Sequence, residues 1–302
     1  MQSLEEINKI LMINNLEEAS NCYKINIGFN NKILSINNKY ILKTCYNENR
    51  ETEFLKEINF YGQNNYEFIP KLIAYDYTKE EFPFCYMIQE QISGKNLYAV
   101  WSELSFSARK EALYNLLKVM NTLHNKKVDS VDYIKVIDSE FSRYLKIITE
   151  KSILSSFKIN YLESLKEALH DNYSTHKLCL IHGDLQFNNV IYMPNREVKI
   201  VDFEHYEVAP IEKEFASLYR MSENPKSFMQ EGNYCKIDEI GFHYVKTFFE
   251  ENCKEICSSP NFENNMLIYE ILNAIRWIVK YPDYPKYHNI LFTKSKKLTK
   301  CK

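Results

Sequence analysis

Two short segments carry residue types that can do chemistry: His182-Gly183-Asp184-Leu185-Gln186-Phe187-Asn188-Asn189 and, further on, Val201-Asp202-Phe203-Glu204. Between them, Val190–Met193 and Val198–Val201 flank the turn sequence Pro194-Asn195-Arg196-Glu197, which predicts a hairpin. If Val190 pairs with Val201 and Met193 with Val198, Asn189 and Asp202 face each other at its open end, within about 6 Å at Cα. A carboxamide oxygen and a carboxylate converging there suit a hard cation such as magnesium. Asp184, on the loop entering the hairpin, can face a substrate hydroxyl while the metal holds phosphates. That ordered set, H-x-D-x-x-x-x-N followed by an aspartate, fits phosphoryl transfer, where positioning and charge neutralisation do most of the work. His182 reads as a brace for the loop, because Asp184 is the carboxylate placed to take a proton.

These residues need elements to hold them. Ser3-Leu4-Glu5-Glu6 opens an amphipathic stretch with a capping box, predicting a short first helix. Strands are expected over Tyr23–Ile27, Lys32–Ile36 and Tyr40–Thr44, separated by Gly28-Phe29-Asn30 and Asn37-Asn38. Helical spacing returns from Asn49 to Tyr61, and two more strands follow, Pro70–Tyr77 and Phe84–Ile92. Gly28 permits a tight turn whose amides can face a phosphate, or a plain hairpin. Lys43 is a point charge suited to α/β-phosphate oxygens, and Glu57 or its rival Glu53 would hold it. After Ser93-Gly94 the pattern turns helical: Ser105–Asn125, Asp138–Ser156 and Asn160–Asn172, the last with a capping box at Asn160 and Glu163. Leu178–Ile181 is a short strand, and helices are expected from Pro210 to about Tyr281, before a lysine-rich tail read as a solvated end.

Taken together, these residues resemble the aminoglycoside phosphotransferase and choline kinase superfamily. The segment His182-Gly183-Asp184-Leu185 with Asn189 is similar to its "HGDL…N" loop, and Val201-Asp202-Phe203 to its "IDF". Gly28-Phe29-Asn30-Asn31 is similar to a "GG-x-x-N" loop with one glycine kept, Met87–Gly94 to a hinge pattern "E-x-I-x-G", and Leu123-His124 to a helix-ending pair. The resemblance implies an α+β, two-lobed protein-kinase-like fold: a small antiparallel-sheet lobe with one main helix over 1–91 and a larger, mostly helical lobe over 92–302. It implies Asp184 as the catalytic residue and Asn189 and Asp202 as magnesium ligands. Gly28, Lys43, Glu57, Glu90 and Ile92 would bind ATP or GTP, the last two through backbone groups. The acidic run Asp202, Glu204, Glu207, Glu212 and Glu214 is either a solvated loop or an attractor for a cationic acceptor, with Glu204, His205 and Glu207 as contacts. Glu214 stands where the family's "P-x-x-D-L-A" has aspartate.

The implied reaction is transfer of the nucleotide γ-phosphate to a hydroxyl of a small cationic molecule, as in an aminoglycoside phosphotransferase. A choline or ethanolamine kinase is the alternative, and a non-catalytic nucleotide-binding regulator the alternative of another class. Composition agrees with a folded chain of two lobes: 302 residues, 45% hydrophobic and 26% charged. With 38 basic and 40 acidic residues, the net charge of −2 does not point to nucleic acid as a partner. No apolar run approaches the ~20 residues of a membrane span, and no basic-then-apolar leader opens the chain. The eight cysteines are scattered, which predicts reduced thiols and a cytoplasmic setting.

Overall fold

A computed structural model describes residues 3–25, 31–174, 177–228 and 237–300. In chain order the elements are α1 (Leu4–Ile13), β1 (Cys22–Lys24), β2 (Lys32–Ile36), β3 (Tyr40–Cys45), α2 (Glu51–Gln63), β4 (Leu72–Asp76), β5 (Cys85–Glu90), β6 (Lys95–Asn96), α3 (Leu97–Val100) and α4 (Phe106–His124). There follow α5 (Tyr133–Glu150), α6 (Ser156–Asn172), β7 (Leu178–Ile181), β8 (Val190–Tyr192), β9 (Val198–Ile200) and β10 (Glu207–Pro210). The chain ends with α7 (Lys213–Glu223), α8 (Glu239–Asn252), α9 (Lys254–Cys257), α10 (Phe262–Lys280) and α11 (Pro285–Lys300). Two compact units result: Met1–Val119, Gln186–Tyr206 and Lys226–Asp238 form one, and the remaining segments the other. They interleave along the chain, where the sequence reading expects one cut after residue 91. The β8–β9 hairpin belongs with the first unit because β6 pairs with β8 and the Ile200 amide bonds Phe68 O at 2.7 Å.

The first unit is built on an antiparallel sheet in the order β1-β2-β3-β5-β4. Ser3 Oγ caps α1 by accepting from the Glu6 amide at 3.0 Å, so the expected first helix forms where its cap predicts. Its apolar stripe, Ile7, Ile10 and Leu11, packs with Leu34, Ile36, Leu42 and Ile88 of the sheet and with Phe84 just before β5. Each such buried side chain contributes about 1.5–3 kcal/mol. Strand alternation puts Lys43 on the face opposite Leu42. Asn37 and Asn38 turn β2 into β3 with φ of 55° and 52°, a left-handed conformation that asparagine tolerates.

The hairpin forms, but one residue out of the expected register. Val190 pairs with Ile200 and Tyr192 with Val198, and the Val201 amide bonds Asn189 O at 3.0 Å. Asn189 therefore faces Val201, and Asp202 lies one residue beyond. The ladder stops at Ile200 because Asp202 is left-handed, φ 70° and ψ 57°, which turns the chain out of the strand.

In the second unit β7 and β10 pair antiparallel, with Leu178 opposite Pro210 and Ile181 opposite Glu207. Its core joins Ile137, Phe141, Leu165, Ile181, Ile268, Ile275, Leu291 and Leu298. Three sequence boundaries shift here. Asp132 caps α5, accepting from the Lys135 amide, so that helix spans Tyr133–Glu150 rather than Asp138–Ser156. Helix α6 begins at Ser156, so Asn160 and Glu163 lie inside it and form no cap. The lysine-rich tail is no solvated end: it is α11, with Leu291 and Leu298 fully buried and Lys294 paired with Glu270. Among the described residues no helix is long and apolar enough to cross a membrane.

Candidate active site

Helix α2 organises the first unit's site. Glu57, 1% exposed, places Oε2 2.6 Å from Lys43 Nζ, while Glu53 lies 3.8 Å from Arg50 instead. Between the two candidates for the lysine, the structure thus selects Glu57. Lys43 Nζ also lies 2.6 Å from Asp202 Oδ1. Burial opposes the Lys43 charge, but the Asp202, Glu57 and Glu204 carboxylates outweigh it and hold its pKa above the ordinary lysine value. Burial pushes the Glu57 carboxyl up to about 8, against the lowering effect of Lys43.

One turn on, Phe60 stacks on Phe203 with centroids 3.9 Å apart and planes 11° from parallel. Tyr61 then accepts a hydrogen bond from the Asp202 amide at 3.1 Å. The same helix therefore fixes both the lysine's partner and the backbone of the aspartate. The left-handed Asp202, costly for a residue with a side chain, is held by that packing.

Glu204, expected at the acceptor, is 6% exposed. Its Oε1 lies 3.1 Å from Arg50 Nη2 and 3.4 Å from His205 Nε2, and Asn31 Nδ2 approaches Oε2 at 3.5 Å. Glu57, Asp202 and Glu204 can each offer an oxygen, all within 4.8 Å of one another. An all-oxygen set of this kind fits magnesium. Asn31 Oδ1, beside Glu204, is buried with no hydrogen-bond partner among the described residues. Asn189 is 6% exposed, directly before β8.

Gly28 lies outside the described residues. At the expected hinge, the Glu90 amide bonds Lys71 O at 2.9 Å and Ile92 O accepts from Gly94 at 3.1 Å. Gly94 has a steric reason of its own: a Cβ there would sit 2.5 Å from Ile191 Cγ2 and 2.8 Å from Tyr192 O. Its absence of a side chain lets the segment lie against β8, a role that spacing alone does not reveal.

In the second unit, Asp184 follows β7 on a loop whose amides are taken by Glu214. Glu214 Oε2 accepts from the His182 amide at 2.7 Å, and Oε1 from Gly183 at 3.3 Å. Gly183 is left-handed, φ 80°, where glycine is unstrained. Glutamate, one methylene longer than the family's aspartate, thus clamps the loop, which answers the question its substitution raises. His124 Nε2 lies 3.6 Å from the same carboxylate. His182 is fully buried, and its Nδ1 accepts from the Asp184 amide at 3.3 Å, as a brace would.

The acidic run is neither a solvated loop nor a free attractor. Glu212 is fully buried and accepts from Asn265 at 2.7 Å. Glu207, expected at the acceptor, is held by Lys213 at 2.8 Å and by the Tyr133 hydroxyl at 3.3 Å. With Asp202 on Lys43, Glu204 on Arg50 and Glu214 on the His182 amide, all five acidic side chains of the run have partners within the protein. The described cysteines are free thiols, and burial first, then nearby Glu214, pushes Cys179 up to about 12.

No curated protein matches this chain by sequence. Among solved structures, the streptomycin–ATP ternary complex of APH(2")-IIa is similar at TM-score 0.69 and 16% identity, over 99% of this chain and 97% of that one. The apo form of a thermostable mutant of aminoglycoside phosphotransferase APH(4)-Ia is similar at TM-score 0.69 and 13% identity, over 97% and 98%. ADP-bound APH(2")-Ib is similar at TM-score 0.64 and 17% identity, over 97% and 95%. These likenesses give the chain the protein-kinase-like fold. The model of the "Phosphotransferase enzyme family" matches residues 24–245, most of the described sites included. By that match this chain belongs to the phosphotransferase enzyme family.

Proposed function

We propose that the protein is a small-molecule kinase moving the γ-phosphate of ATP or GTP to a hydroxyl of a cationic acceptor of aminoglycoside type. The observation that carries this reading is Lys43 held 2.6 Å from both Glu57 and Asp202, a cation and two carboxylates gathered as phosphate and metal binding require. Residues 1–91 supply the nucleotide contacts, with Lys43 on the phosphates, Glu57 holding it, and Gly28 and the Glu90–Ile92 backbone completing the set. Residues 92–302 supply the catalytic and acceptor contacts.

Asp202 and Asn189 would hold magnesium, and the placement of Glu204 beside Glu57 and Asp202 supports it as a further oxygen donor. Magnesium, when bound, neutralises phosphate oxygens. Asp184 orients the acceptor hydroxyl and takes its proton as the oxygen attacks the γ-phosphorus, and the nucleoside diphosphate leaves. His205 remains a candidate acceptor contact, whereas Glu207 would have to part from Lys213 to serve. The solved neighbours hold streptomycin with ATP, ADP, and, for APH(2")-IIIa, GDP with kanamycin, which favours an aminoglycoside and leaves both donors to be assayed.

The test is phosphate transfer from magnesium–ATP and magnesium–GTP across streptomycin, gentamicin, kanamycin, hygromycin B, choline and ethanolamine, read by mass spectrometry of the acceptor. Phosphorylation of an aminoglycoside is expected, with Asp184→Ala binding nucleotide yet losing transfer. Turnover of choline or ethanolamine alone would favour the amino-alcohol kinase. Nucleotide binding with no acceptor consumed would favour the non-catalytic regulator.

A further inference from the structure

The Asp184 loop rests on one face of α7. Glu214, Ser217 and Arg220 follow one another at three-residue spacing, which places them on the same side of a helix. Their contacts run in step with the loop. Glu214 takes the amides of His182 and Gly183, and Ser217 comes next, 3% exposed, with Oγ 3.4 Å from Asp184 Oδ1. Arg220 completes the row, donating from Nη2 to Ser217 Oγ at 2.8 Å.

The polarity of this chain is fixed by chemistry. A guanidinium has donors and no acceptor, so Arg220 must donate into a lone pair of Ser217. The single hydroxyl proton of Ser217 is then available to Asp184, whose carboxylate can only accept. At 3.4 Å the second link is long, as such bonds are before substrate binds.

Charge runs the same way. Burial works against the Arg220 cation, Asp184 and Glu270 favour it, and Arg276 opposes it. Glu270 already has Lys294 as its partner. The titratable groups around the pair are His182 on the loop, Glu214 on α7, Glu270 and Arg276 on α10 and Tyr287 on α11.

We propose that Ser217 and Arg220 are positioning residues for Asp184, Arg220 acting through the Ser217 hydroxyl to hold the carboxylate in one orientation. The inference rests on the reading of Asp184 as the acceptor's base. It adds the device that keeps that base oriented and ionised.

The experiment is carbon NMR of the full chain labelled at its aspartate carboxyl carbons, with the Asp184 signal assigned by its loss in Asp184→Asn. In Arg220→Gln the titration midpoint of Asp184 is expected to rise by about one unit or more, since a nearby opposite charge lowers a carboxylate by 1–3 units. Ser217→Ala is expected to raise it by less, and Arg220→Lys to leave it near the wild-type position. A purely structural role would not move the midpoint in a folded variant. An unchanged midpoint in both Ser217→Ala and Arg220→Gln overturns the proposal, as does an unchanged midpoint in Ser217→Ala if Arg220→Gln does not fold. Phosphate transfer retained by Asp184→Asn would instead overturn the assignment of Asp184 as the base, a separate result from the midpoint.

Discussion

Lys43 is buried between two carboxylates, each at 2.6 Å, with 5% exposure. Replacing it strands Glu57 in the interior. Breaking a buried pair from one side costs about 3–5 kcal/mol. Losing the ammonium removes the influence that lowers the Glu57 carboxyl against burial, so it rests neutral in Lys43→Met and the loss is expected near the low end. Glu57→Gln should cost less, because Lys43 keeps Asp202. Denaturant midpoints of the two variants check the order, and a larger loss from Glu57→Gln would contradict it. At this scale type and spacing single out Lys43, Asp184, Asn189 and Asp202 as candidates, and the structure brings Lys43 and Asp202 together. What spacing could not show was which charges meet. Arg50, distant in the chain, lies 3.1 Å from Glu204, a pairing that spacing alone does not reveal.

At the scale of elements, α2 and α7 do the positioning. The first ties Lys43 through Glu57 and Asp202 through Phe60, Tyr61 and Phe203. If the Phe60–Phe203 stack couples the helix to the aspartate, a double-mutant cycle with alanine should return about 0.5–1.5 kcal/mol beyond the single losses. Additive losses would mean the rings act independently. The short strands were legible because each alternates over a few residues between turn signals, and Lys32–Ile36 matches its expected bounds. The hairpin register was not, since it depends on where the ladder stops, and the left-handed Asp202 decides that. Helix α11 was hidden by its lysines. Its Leu291 and Leu298 stand seven residues apart, one heptad, and Pro285 suits a first turn, but the surrounding charge masks that stripe. A docked helix predicts that Leu298→Ala lowers stability by about 2–5 kcal/mol. A solvated tail would show no change in the unfolding midpoint.

For the molecule as a whole, each compact unit carries its own part of the chemistry. The first holds Lys43, Glu57 and the Asp202 and Glu204 carboxylates proposed for the metal, and the second holds Asp184 on its clamped loop. The family follows from a match over residues 24–245, whereas the acidic run does not point out an acceptor site, because its carboxylates are engaged internally. The central claim is that Asp202 and Lys43 together receive a metal-bound nucleotide. It is tested most directly by titrating ATP and GTP into the protein with and without magnesium, for the wild type and for Asp202→Asn. The account predicts that magnesium tightens wild-type binding of at least one nucleotide by about tenfold or more and that Asp202→Asn abolishes this dependence. Equal affinity with and without magnesium in the wild type, or the same magnesium effect in Asp202→Asn, would contradict it.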